Sequence, residues 1–208
     1  MSSSNLVRWS GLVTVVGAVL LIVLDLAEFI IIGGQPESAV AANSALVIVR
    51  ATYMLAITLM SLGLVGLYAI QTEQVGTLGL IAFLVSYFGI VMTAGAQWGA
   101  AFLGPWLAEV APAILDTEPT GLFVAGFILS FLLFALGWLL FGLASLRTRV
   151  LPQGSSILMM VGAVLFFAML FLELPGSTVV FGVALAWMGY ALWAGAGETA
   201  LEPQTAST

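Results

Sequence analysis

The chain has no cysteine, no histidine and, because its four basic residues are Arg8, Arg50, Arg147 and Arg149, no lysine. Without cysteine there are no disulfides, iron–sulfur clusters or thiolate nucleophiles, and without histidine there is no imidazole base and no common zinc or haem ligand. Without lysine there is no Schiff base and no phosphate-cradling Gly-x-x-x-x-Gly-Lys loop. Charge is scarce as well. Four basic and ten acidic side chains in 208 residues make 7%, where a soluble domain carries roughly 25%. A water-soluble globule is excluded. The net charge of −6, with no basic run, leaves no footprint for nucleic acid. No cofactor is expected, and no catalytic motif is present, so an enzyme is the less favoured class.

What is there is apolar: 62% of the residues are hydrophobic. About 20 apolar residues cross about 30 Å of hydrocarbon as a helix. The uncharged runs between ionisable residues therefore predict six spans, at 11–32, 46–70, 77–103, 121–146, 155–174 and 177–194. Turn-forming stretches such as Gly33-Gly34-Gln35-Pro36, Arg147 to Gln153 and Leu174-Pro175-Gly176 separate them. The expected fold class is all-α, a polytopic membrane protein built as a bundle of six transmembrane helices. Residues 1–10 form a cytoplasmic N-terminal segment, 11–194 the transmembrane domain, and 195–208 a disordered acidic cytoplasmic tail. Arg8, Arg147 and Arg149 fall on one side of a six-span chain, and the positive-inside rule makes that side cytoplasmic. The plasma membrane, with both termini inside, is the expected location. The lipid bilayer is the expected partner, with another membrane protein or a second copy as further candidates. Between Gly104 and Thr120, the helical spacing of Trp106, Leu107, Val110 and Ile114 behind Pro105 predicts a short helix on the outer surface.

The run Leu136-Gly137-Trp138-Leu139-Leu140-Phe141-Gly142, continuing through Arg147-Thr148-Arg149-Val150-Leu151-Pro152 into the next apolar helix, resembles a widespread group of bacterial multi-pass (six-helix) integral membrane proteins of unknown function. The likeness covers residues 121–194 and extends to the rest through helix spacing alone. It implies an integral membrane protein and transfers no catalytic residue.

Several residues stand out against this apolar background. Gly95 and Gly99 form a Gly-x-x-x-Gly pair, which lets helix backbones approach closely in lipid; packing inside the bundle is expected, with a dimer face as the alternative. Gln97 lies between them. Ser155 is expected to cap the fifth helix, and Asp116 and Glu118 to be solvated rather than to bind calcium. The most informative residues are the ionisable ones within the spans, since a charge at the membrane centre costs about 2.5–3.5 kcal/mol even on the lenient insertion scale. At about 1.5 Å per residue, Asp25 and Glu28 lie about 6 and 10 Å beyond the midplane, Arg50 and Glu173 about 12 Å, and Gln97 about 10 Å, all in the outer half. One polar cluster of Asp25, Glu28, Arg50, Gln97 and Glu173 is therefore expected, with Arg50 as its hub. Three carboxylates against one guanidinium favour a balancing proton or cation. Two function classes follow. The cluster binds or conducts a small solute, cation or proton, or its ion pairs only fix helix packing in a structural or accessory membrane subunit.

Overall fold

Long apolar stretches with few helix-stopping residues give long helices, and several of the stops fall where glycine adopts positive φ. The computed structural model describes residues 3–172, 176 and 178–196. Among the described residues every regular element is helical: α1 Ser3–Ile32, α2 Glu37–Ala42, α3 Ser44–Ala69, α4 Thr72–Trp98, α5 Gly104–Val110, α6 Pro112–Leu115, α7 Leu122–Thr148, α8 Gln153–Leu172 and α9 Val179–Ala191. Short π-helical turns, Gly99–Leu103 and Leu192–Ala196, continue α4 and α9. Gly33 and Gly34 (φ 51° and 74°) break the chain after α1, and Gly121 (φ 62°) stands before α7. Gly76 (φ 57°, ψ −153°) interrupts α4, so its continuous part starts where the sequence places it, at residue 77.

Two boundaries differ from expectation. α1 begins at Ser3 rather than Gly11, because nothing between them stops a helix: Arg8 ends an apolar run without ending backbone hydrogen bonding. The stretch after Gly104 holds α5, with Pro105 in its first turn as expected, and the four-residue α6. It packs against α2, an element the sequence reading lacks. The expected tail lies almost wholly outside the described residues, which end at Ala196.

Helices of 28, 26, 39 and 27 residues (Asn5–Ile32, Ser44–Ala69, Thr72–Val110 and Leu122–Thr148) are long and apolar enough to cross a membrane, while α8 and α9 are shorter apolar helices. Large apolar side chains face outward along them, among them Val19, Val23, Phe88, Val91 and Leu132. A soluble protein could not present such a surface to water.

The long helices pack as a closed ring: α1 on α3, α3 on α4, α4 on α7, α7 on α8, α8 on α9, and α9 back on α1. Small residues at the crossings let the backbones meet, as packing in lipid requires. On α4 and α7 the contact is reciprocal, since a side chain at Gly89 would strike the Phe134 backbone and one at Gly137 the Ser86 backbone. Thr14, fully buried on α1, fills the space above Gly63 of α3 and Gly189 of α9. Ser10, Thr14 and Gly17 of α1 meet Gly66, Gly63 and Ala56 of α3, while Gly11 and Ala18 meet Gly189 and Gly182 of α9, so α1 runs antiparallel to both. An aromatic core of Phe134, Trp138, Phe166 and Phe181 joins α7, α8 and α9, with ring centroids 5.0–6.4 Å apart.

Candidate functional site: an ion pair between the first and third helices

Asp25 and Glu28 lie three residues apart near the end of α1, on one helix face. The antiparallel crossing brings that face to the start of α3. There Arg50 Nε donates to Glu28 Oε1 at 2.8 Å, and the two side chains are 12% and 20% exposed. The expected Arg50–Glu28 contact is made. Tyr53, one turn after Arg50, is buried, and its phenol faces Asp25, Glu28 and the Thr178 side chain. Thr178 precedes α9. Its backbone N–H approaches Asp25 Oδ2 at 3.5 Å, a long contact that sets the carboxylate at the positive end of the α9 dipole. The Thr178 hydroxyl is buried, and the Tyr53 phenol beside it is its hydrogen-bonding neighbour.

The site thus comprises Asp25, Glu28, Arg50, Tyr53 and Thr178, from three helices of the ring. One of the expected members, Gln97, is not in it. Gln97, half-buried on α4, forms no hydrogen bond with any of these groups. Glu173 lies outside the described residues. Tyr53 and Thr178 were missed by sequence reasoning. Tyr53 had a signal, because three residues after Arg50 it shares the arginine's face. Thr178 had none, since its arrival depends on the crossing of α1 and α9. Among the described residues no group of three or more acidic side chains is placed to hold a metal ion.

Gly95 and Gly99 require a correction. A side chain added at either meets nothing within 4 Å among the described residues, so this pair packs against no other described helix. The buried seam of α4 is instead Gly79, Ala82, Ser86, Gly89 and Thr93. At about 100° per residue, Gly95 lies about 200° round the helix from Thr93, on the far side. Ser155 does not cap α8 either: it lies inside the first turn and its hydroxyl donates to the Pro152 carbonyl at 2.7 Å. Asp116 is engaged rather than merely solvated. It accepts from the Ser38 N–H at 2.9 Å and the Ser38 hydroxyl at 2.8 Å, which caps α2, whose own Pro36 has no side chain to do so.

The chain matches no protein-family model, no curated protein and no solved structure. Functional interpretation therefore rests on the side chains of the site.

Proposed function

We propose that the chain is a six-span protein of the plasma membrane with both termini cytoplasmic, and that its outer-half cluster binds a proton or a monovalent cation in the handling of a small solute. The observation that carries this reading is the charge and donor count of the site. Two carboxylates, the Tyr53 phenol and the Thr178 hydroxyl lie in one cluster with a single guanidinium, which pairs with Glu28. Oxygen donors with excess negative charge suit a hard cation or a proton, and the low dielectric around them strengthens that preference. An ionisable side chain kept inside a membrane bundle is by default a candidate for an ion or substrate pathway. The six-span count is supported by the six apolar helices of the ring and by the resemblance to six-helix bacterial membrane proteins.

A second reading has its own observation. The Arg50–Glu28 contact is short and largely shielded, so it completes itself without a ligand and fastens α1 to α3. On that reading the protein is a structural or accessory subunit. The two are separated by reconstituting the purified protein in vesicles and following proton and sodium or potassium flux. Thermal unfolding is measured in parallel with each alkali salt against choline. Ion binding predicts stabilisation by one cation or a dependence on pH, lost in Asp25→Asn while the protein still folds. If neither flux nor unfolding responds to any ion, and Asp25→Asn behaves as the parent, the cluster is a brace.

A further inference from the structure

Arg8 lies on α1 about 30 Å from Glu28, at the opposite end of the ring. The close approach of Gly11 to the Gly189 carbonyl and the Trp193 backbone draws α1 and α9 together. One turn beyond this crossing the helices leave a cleft of about 240 Å³ lined by Asn5, Arg8, Trp9, Leu12 and Trp193. It adjoins a second of about 200 Å³ that shares Arg8 and Trp193 and reaches Ala194 and Gly195 in the π turn. Arg8 is exposed and makes no ion pair or hydrogen bond among the described residues. Trp9 and Trp193 are 56% and 43% exposed. A guanidinium flanked by two half-exposed indoles combines a fork of donors matched to phosphate oxygens with rings suited to the headgroup layer. Below the cleft, Val16, Val19 and Val23 continue from Leu12 along one exposed apolar face of α1 toward the middle of the helix, a surface suited to an alkyl chain.

We propose that this cleft holds the phosphodiester headgroup of an anionic phospholipid, bound by Arg8 and flanked by Trp9 and Trp193, with one acyl chain along Leu12, Val16, Val19 and Val23. Basic pockets between membrane helices recognise acidic lipids in this manner, and the valine track selects a lipid over a free phosphate. The site is separate from the ion-pair cluster and does not depend on the ion-binding reading.

The test uses the full chain, delipidated in an uncharged detergent, with native mass spectrometry for bound lipid and thermal unfolding for its effect. The probes are phosphatidylglycerol, phosphatidylcholine and inorganic phosphate. Phosphatidylglycerol is expected to be retained and to raise the melting temperature, with little effect from the other two. Arg8→Gln is expected to weaken its retention roughly tenfold, the effect of losing one hydrogen bond to a charged group, and Arg8→Lys to restore part of it. Arg147→Gln, a charge removed elsewhere, is expected to bind as the parent does. Equal binding of phosphatidylcholine, equal stabilisation by inorganic phosphate, or unchanged retention in a folded Arg8→Gln protein would each overturn the assignment.

Discussion

Arg50 and Glu28 decide more about this molecule than any other two residues, because each makes the other tolerable in an apolar surrounding. Removing one partner of a largely shielded pair strands the other charge, whereas removing both leaves only a repacking problem. Arg50→Met is therefore expected to lower stability more than Arg50→Met combined with Glu28→Gln, as read by thermal unfolding in detergent. Equal loss in the single and double variants would mean that the pair contributes nothing as a pair. This contact was legible in the sequence: three of the four charges that fall deep within spans belong to Asp25, Glu28 and Arg50, and helix rise alone put them at similar depth. Depth says nothing about azimuth, however. The same arithmetic that matched Gln97 to the others in depth could not say whether its side chain turned toward them, and the structure gives it no hydrogen bond there.

At the level of helices, existence was legible and faces were not. Runs of apolar residues set the positions of α1, α3, α4, α7, α8 and α9, and the glycines at positive φ mark several of their ends. A helix that is apolar on every side carries no periodic stripe to say which side is inside. The Gly95–Gly99 pair drew attention as a motif, but Gly89 and Gly137 are the glycines that meet backbone. Leucine at Gly89 or Gly137 is accordingly expected to abolish a stable fold or cost several kcal/mol through overpacking, typically about 1–3 kcal/mol even where the neighbours can shift. Leucine at both Gly95 and Gly99 is expected to leave the melting temperature of the monomer within a few degrees of the parent. A large loss from the Gly95 and Gly99 pair, with Gly89→Leu tolerated, would reverse the assignment of faces. The capping of α2 by Asp116 was likewise invisible, since 78 residues separate donor and acceptor in the chain.

For the whole molecule, the ring implies a topology that a simple fusion can check. If all six helices of the ring cross, Arg8, Arg147 and Arg149 fall on one side, and a reporter active only in the cytoplasm is expected to work when joined after Thr208 and when inserted in the loop at Arg149. A silent fusion at Thr208 with an active one at Arg149 would mean an odd number of crossings after α7 and would remove α8 or α9 from the membrane.

The ring also constrains the order of biosynthesis. Glu28 leaves the ribosome 22 residues before Arg50, a lag of about 1–4 s at about 5–20 residues per second, and Thr178, which approaches Asp25, arrives far later still. During that interval the first helix carries two carboxylates with no guanidinium to meet them, which disfavours its release alone into lipid. Insertion of α1 and α3 together as a hairpin would resolve this, with the turn at Gly33 and Gly34 setting how soon the two helices can meet. A stiffer or longer connection there delays the neutralising contact, so the translocon would have to hold a charged helix for longer before letting it go.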